Sequence, residues 1–208
     1  MHFLCSNLKT NESVVEKVMS GMNSGINQLN SYKRNYLEMV CNNSQNLGVI
    51  KLLVEKKIDV HNLNKDNQTP FFCLSKNTIL SMETLKYFVE KGIFIESKKE
   101  EIENCFLQIF LNKNITKEMV QVFLDNKCDI NTSNSNNPNC LFHATSHTNW
   151  NYDLLNFLIE KKADTNNVSH FTPLLFHAHT DFEKIKYLIE NNCQPNVRDK
   201  NGNTLLHV

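Results

Sequence analysis

One short stretch recurs along this chain of 208 residues at nearly constant spacing. Its six copies stand at 24–27, 58–61, 93–96, 128–131, 163–166 and 193–196, so that their last residues step by 34, 35, 35, 35 and 30. A period of about 20 to 50 residues is the sequence signature of a repeat protein, in which each unit packs on its neighbours. The period therefore favours an array of similar units.

A column of apolar residues with helical spacing precedes each of the last five copies. Positions i, i+3 and i+4 make one apolar stripe on a short helix, which must pack against something outside itself. We expect the neighbouring units to supply that partner. The five columns are Ile50/Leu53/Val54, Leu85/Phe88/Val89, Val120/Phe123/Leu124, Leu155/Leu158/Ile159 and Ile185/Leu188/Ile189.

A second apolar cluster opens each of these units, at 36–41, 70–74, 105–110, 140–144 and 173–178. Thr69-Pro70 and Thr172-Pro173 place proline in the first helical turn, where its missing N–H costs nothing and Thr can cap the helix. Each unit is therefore predicted to be a helix, a short loop, a second helix and a polar turn.

These aligned columns resemble the ankyrin-repeat family, whose period is about 33 residues. The family's helix-opening pattern Thr-Pro-Leu-His-x-Ala is matched in part at 69–72 and 172–175, and best at 199–207. The resemblance implies an all-α, ankyrin-type helix-turn-helix solenoid of about six repeats with short β-hairpin-like loops. We predict a single array over 1–208, with repeats near 1–30, 31–64, 65–98, 99–134, 135–168 and 169–198 and a partial repeat at 199–208.

The position that closes the second helix departs from the family pattern. The family usually has Gly there, because the chain turns through a left-handed conformation. In this sequence Lys stands at three of the six positions. Lys tolerates the left-handed conformation less well than Gly or Asn, so each Lys is expected to lower the stability of the fold by up to about 1 kcal/mol. We expect a degenerate array of moderate stability. The residues at this position are Asn23, Lys57, Gly92, Lys127, Lys162 and Asn192.

Composition narrows the class of protein. The 22 Lys+Arg balance the 22 Asp+Glu, which argues against a nucleic-acid partner, and no apolar run approaches the ~18 residues of a membrane helix. The first residues have neither the basic flank nor the apolar stretch of a secretory signal. Seven scattered cysteines predict free, buried thiols in a reducing compartment. We therefore predict an intracellular, cytoplasmic protein, with a nuclear location also open.

The residues that could carry chemistry have plainer interpretations. Cys41, Cys73, Cys105 and Cys140 fall on successive first helices, too far apart to share one Zn²⁺, and are interpreted as packing residues. His143 and His147, separated by four residues, could hold a metal with His177 and His179, but hydrogen-bonded or exposed histidines are favoured. A Cys140/His143/Asp181 nucleophilic set lacks an oxyanion-hole loop, and no glycine-rich phosphate loop is present. We predict no enzyme activity, no cofactor and no metal.

Function is therefore expected from the surface. In ankyrin-like stacks the turns project as fingers and the first helices line a concave face. The register places fingers at 66–68, 98–101, 133–137, 168–170 and 200–201, with the mixed-charge run 98–101 in a hairpin loop. Trp150 is either an anchor for a partner or buried under the neighbouring unit. The predicted partner-binding residues are Met39, Lys76, Gln108, His143, Ser146, Phe176 and His179.

The sequence predicts a monomeric protein–protein interaction scaffold that binds an unidentified protein partner through the concave face and the hairpin fingers. Both ends fall inside a unit, so we expect a part of a longer array or a truncated gene product. Three alternatives stay open: a regulatory or targeting segment of a larger enzyme, a host-directed effector, and a metal- or thiol-dependent activity at the histidine cluster.

Overall fold

A computed structural model describes residues 1, 5, 12–21, 25–43, 46–94, 99–112, 114–134, 138–146, 150–166, 168–169, 172–178, 181–199 and 201–207. Ten α-helices lie in this part of the chain: α1 Glu12–Ser20, α2 Tyr36–Asn43, α3 Leu47–Glu55, α4 Pro70–Ser75, α5 Met82–Glu90, α6 Lys99–Ile109, α7 Lys117–Asp125, α8 Cys140–Thr145, α9 Tyr152–Glu160 and α10 Phe182–Glu190. Two 3₁₀ helices span Leu174–Ala178 and Leu205–His207, and strands β1 (Val168–Ser169) and β2 (Thr172–Pro173) pair antiparallel.

The chain divides into two compact units, Met1–Ile115 and Thr116–Val208. In the first unit α2 packs on α3 and α4, α4 packs on α6, and α1 packs on α3. The helices that open successive repeats therefore lie side by side in the order α2, α4, α6. The ring of Phe71 joins two parts of this core, at 5.9 Å from the centroid of Phe88 and 5.1 Å from that of Phe94.

In the second unit α8 packs on α9 and on the 3₁₀ helix Leu174–Ala178, which in turn packs on α10. Helix α9 also packs on α7. Leu141, Leu154 and Leu158 are buried between these elements. The predicted single array over 1–208, with its repeat boundaries, stays a prediction.

The predicted apolar stripes are confirmed, and the structure shows how wide they are. The first two members of each column through α9 are completely buried, whereas the third, such as Val54 or Val89, is half-buried. The column of α10 is more exposed: Leu188 is buried, Ile185 is half-buried and Ile189 is exposed.

Short polar side chains begin most of these helices. The side-chain oxygen of Thr69 accepts the backbone N–H of Phe72 at 3.1 Å, which confirms the predicted cap. Such a cap contributes about 1 kcal/mol to helix stability. The other side-chain caps are Asn46, Ser81, Thr116, Asn139, Asn151 and Asp181.

The predicted left-handed helix ends are also confirmed. Five of the six positions have positive φ, and Asn23 lies outside the described residues. At the end of α3 the N–H of Lys57 donates to Val54 O at 2.9 Å and that of Ile58 donates to Leu53 O at 3.2 Å. These two bonds form a Schellman motif, which satisfies the last carbonyls of the helix. The five φ angles are 61° at Lys57, 74° at Gly92, 65° at Lys127, 69° at Lys162 and 68° at Asn192.

Two local predictions were wrong. Residues 98–101 were expected in a hairpin loop, but α6 begins at Lys99, so Glu100 and Glu101 lie in its first turn, where the helix dipole favours carboxylates. The unit that opens at Thr172 was expected to begin with an α-helix. Instead Thr172 and Pro173 form β2, and the helix that follows is 3₁₀.

All seven cysteines are free and buried, as predicted. Burial raises the pKa of the thiol to about 12 for Cys73 and Cys140 and to about 11 for Cys5 and Cys193. These thiols therefore act as small apolar core residues. Among the described helices, none is long and apolar enough to cross a membrane.

Candidate functional site

An open groove of about 630 Å³ lies in the first unit, between the finger that precedes α4 and the start of α6. Its volume is within the range of ligand-binding clefts, roughly 300 to 1,000 Å³. We call it the 61–104 groove. Its lining residues are His61, Leu63, Asp66, Asn67, Gln68, Thr69, Phe72, Glu100, Glu101 and Asn104.

The finger forms one wall of the groove and is held by the buried side chain of Asn64. Asn64 Oδ1 accepts the backbone N–H groups of Asp66 at 2.8 Å and Gln68 at 3.0 Å. Asn67 takes a φ of 56°, a left-handed conformation that Asn adopts more readily than most residues. The backbone that carries Asp66, Asn67 and Gln68 is therefore held in a tight turn.

A buried charge network supports this finger from below. Asn64 Nδ2 donates to Glu38 Oε1 at 2.6 Å, and Arg34 Nε lies 3.2 Å from the same oxygen. Cys73 Sγ lies 3.7 Å from it. Burial raises the pKa of the Glu38 carboxyl above its usual value, while the bond from Asn64 and the charge of Arg34 act in the opposite direction. The finger is thus linked to α2 and α4 through Glu38.

The first turns of α6 form the opposite wall. Glu100 is exposed, whereas Glu101 is half-buried and accepts a hydrogen bond from the hydroxyl of Thr69. Thr69 also caps α4, so this one residue connects the two helices that border the groove. Lys99 forms an ion pair with Glu103, with Nζ and Oε1 3.5 Å apart.

The apolar part of the groove comes from Leu63 and Phe72. Leu63 is 53% exposed, and Phe72 is half-buried. Lys76 Nζ lies 5.9 Å from the centroid of the Phe72 ring and 3.3 Å from Gln68 Oε1. The groove therefore combines apolar contact area with hydrogen-bonding groups and carboxylates.

The structure places three of the predicted binding residues on neighbouring elements of the first unit. Met39 lies on α2, Lys76 directly follows α4, and Gln108 lies on α6; all three are half-buried. Asn30 Nδ2 lies 3.8 Å from Met39 Sδ. Among the three, Lys76 is nearest to the groove, because it contacts the lining residues Gln68 and Phe72.

The other predicted binding residues belong to the second unit. His143, on α8, is half-buried, and the hydroxyl of the exposed Ser146 donates to His143 O at 2.7 Å. Phe176 is half-buried on the 3₁₀ helix that packs against α8. His179 lies outside the described residues.

Trp150 is a core residue of the second unit. It is 8% exposed, and its indole Nε1–H donates to Thr145 O at 2.9 Å. The rings of Tyr187 and Trp150 lie edge to face with centroids 6.4 Å apart, and Lys184 Nζ lies 5.1 Å from the Trp150 centroid. Of the two interpretations of Trp150, burial is the one that the structure shows.

The predicted histidine cluster is only partly described. His147 and His179 lie outside the described residues, and so does the side chain of His177. Among the residues that the structure does describe, no group of three His, Cys, Asp or Glu side chains could hold a metal ion.

Sequence reasoning identified both walls of the groove as fingers but missed the groove itself. It placed Glu100 and Glu101 in a loop, and it left out Leu63, Phe72 and Asn104. The missing signal was the spacing of Ile102, Cys105, Phe106 and Ile109, an i, i+3, i+4, i+7 stripe that extends the helix back toward Lys99.

The comparisons with known proteins give the fold. No protein-family model and no curated protein matches the sequence. The ankyrin repeat domain of human ASB11 is similar in structure, with a TM-score of 0.75 and 16% identity over 99% of this chain and 89% of that one. The ankyrin repeat domain of Bcl-3, a member of the IkappaB protein family, gives a TM-score of 0.65 and 16% identity over 99% of this chain and 91% of that one. The chain therefore has the ankyrin-repeat fold, the helical solenoid that the resemblance of its repeats to this family implies.

Proposed function

We propose that this chain is a protein-interaction module that holds a segment of a partner protein in the 61–104 groove. The observation that carries the proposal is the groove itself, in which the finger 61–69, with the exposed Leu63, forms one wall and the start of α6 forms the other. Repeat proteins of this fold carry their binding residues on the surfaces that the stacked helices leave free.

The lining supports recognition of a chain segment. Leu63 and Phe72 offer apolar contact, while the amides of Asn67 and Gln68 offer hydrogen-bonding groups for a peptide backbone. The finger is already fixed by Asn64, so little conformational entropy is lost there when a partner binds. In this proposal the module acts as a monomer and binds without turnover.

The binding residues predicted from the sequence are proposed as further contacts outside the groove. Lys76 is next to it, and Met39 and Gln108 lie on the flanking helices. In the second unit, His143, Ser146, Phe176 and His179 are proposed as contacts for another part of the partner.

A matched pair of substitutions tests the groove. Leu63 is 53% exposed inside it, and Ile79 is 52% exposed in the turn between α4 and α5, outside the lining. We expect Leu63→Asp to lose a protein that the native chain and Ile79→Asp both capture from a lysate of the source cell, once circular dichroism shows equal helicity. Direct titration with the purified partner then measures the lost affinity. The proposal is contradicted if Leu63→Asp captures the same proteins as Ile79→Asp. It is also contradicted if neither the native chain nor either variant captures any protein.

A further inference from the structure

We infer that the 61–104 groove takes a basic segment of its partner, in which Lys or Arg side chains flank an apolar side chain. The inference rests on the proposed function and adds the chemistry of the occupant.

The charge of the groove is one-sided. Asp66 on one wall and Glu100 and Glu101 on the other are carboxylates, and none of the described lining residues is Lys or Arg. A groove with low-dielectric walls concentrates the field of such charges, which favours a partner segment of opposite sign.

The cations near the groove have other partners. Lys76, which directly follows α4, is the nearest: its Nζ lies 3.3 Å from Gln68 Oε1 and 5.9 Å from the centroid of the Phe72 ring. Arg34 Nε lies 3.2 Å from Glu38, and its Nη2 is 3.9 Å from Asp66. Lys99 is paired with Glu103, and Lys65 Nζ lies 6.0 Å from the ring centroid of Tyr32. Of these cations, only Arg34 approaches a carboxylate of the groove.

The three carboxylates also differ in what they can offer a ligand. Glu101 already accepts the hydroxyl of Thr69. Asp66 is 65% exposed beside Arg34, so its charge is partly compensated. Glu100 is exposed and, within the described part of the chain, has no ion-pair partner. Asp66 and Glu100, on opposite walls, are therefore the groups expected to meet two cationic side chains of one bound segment.

The apolar residue in the inferred motif is expected because two apolar side chains lie in the groove together with the carboxylates. Leu63 and Phe72 line the same groove, and burying an apolar side chain against them stabilises the complex in proportion to the apolar area removed from water. Exposed charge pairs alone contribute little, so the apolar contact supplies affinity and the carboxylates supply selectivity.

A display library of random dodecapeptides, selected on the full chain, tests the inference without knowledge of the natural partner. The groove variant is Asp66→Asn with Glu100→Gln. The matched control is Glu83→Gln with Glu90→Gln, which removes two exposed carboxylates from α5, outside the lining. We expect selected peptides to carry Lys or Arg around a Leu or Phe. They should bind the control as tightly as the native chain and the groove variant about tenfold more weakly. The difference should shrink at high salt.

Three results would overturn the inference. Selected peptides that lose binding to Leu63→Asp but are not enriched in Lys or Arg would leave the proposed function standing and show that the occupant is not basic. Basic peptides that bind the groove variant and the native chain equally would place basic recognition elsewhere. If no selected peptide depends on Leu63, the proposed function and the inference both fail.

Discussion

Asn131 and Asp164, 33 residues apart, are joined by a hydrogen bond of 2.7 Å from the backbone N–H of Asp164 to the side-chain oxygen of Asn131. The amide nitrogen of the same side chain donates to Lys162 O at 3.1 Å. One repeat along, Asn166 accepts the N–H of Gln194 at 2.8 Å and donates to Asn192 O at 3.2 Å. Asparagines at the repeat period thus bind the backbone of the following repeat, a use for part of the 32 Asn in the chain.

Another asparagine of the second unit, Asn139, should also be costly to remove. It is buried, it caps α8 through the N–H of Phe142, and its amide donates to Asp164 O at 3.0 Å. We expect Asn139→Ala to lower the free energy of unfolding by about 2 kcal/mol, because a cap is lost and a carbonyl loses its donor. Urea denaturation measures this. Asn196→Ala, at an exposed turn residue, is the control and should change stability by less than about 0.5 kcal/mol. Equal losses of stability in the two variants would contradict the role of Asn139 as a cap and as a donor to Asp164.

At a left-handed helix end, a substitution is expected to raise the stability of the protein. Lys57 holds a φ of 61° after α3, a conformation in which glycine has no side-chain penalty. Lys57→Gly is therefore expected to stabilise the protein by up to about 1 kcal/mol. Its neighbour Lys56 has a φ of −79°, so Lys56→Gly should be neutral or destabilising. Thermal and urea unfolding of the two single variants give the comparison. If Lys57→Gly is no more stable than Lys56→Gly, the strain assigned to Lys57 is wrong.

The sequence predicted the features that repeat and missed those that occur once. The stripe of Leu85 and Phe88 and the left-handed Lys57 follow from local periodicity and backbone sterics, which act in every unit. The groove depends on contacts between neighbouring repeats, such as the hydrogen bond that Thr69 donates to Glu101, and the sequence of a single repeat does not encode these contacts. Trp150 illustrates the same limit, since only the position of Thr145 O shows that its indole is satisfied inside the core.

The cysteines should be unreactive in the native protein. All seven are buried, and burial raises the pKa of Cys73 and Cys140 to about 12, so little thiolate is present at pH 8. We expect labelling with a disulfide reagent at pH 8 to be slow for the folded chain and complete for all seven thiols in denaturant. Ser146→Cys, at an exposed position, should add one fast-reacting thiol. Several fast thiols in the native chain would contradict the burial of the cysteines.

Glu38 makes the stability of the protein depend on pH, and its raised pKa determines the direction of this dependence. The folded protein binds a proton at Glu38 more readily than the unfolded chain, so the carboxylate lowers stability at neutral pH. That loss is recovered as the pH falls through the folded pKa toward the unfolded value. Glu38→Gln keeps an acceptor for Asn64 and removes the charge. We therefore expect this variant to be more stable than the native chain at pH 7.5, and this advantage to shrink as the pH falls toward 5.

Arg34→Gln is the companion variant, since it leaves the buried carboxylate without the cation that lies 3.2 Å away. This variant should destabilise the protein by roughly 2 kcal/mol at pH 7.5. Removing one partner of a fully buried ion pair costs ~3 to 5 kcal/mol, and the smaller value is expected here because 26% of the Arg34 side chain is exposed. Its cost should shrink as the pH falls, because protonation of Glu38 removes the uncompensated charge. Urea midpoints of the three proteins at both pH values measure these differences. A stability gap between Glu38→Gln and the native chain that grows toward pH 5 would show that Glu38 is stabilised in its charged form by Arg34 and Asn64 more than it is destabilised by burial.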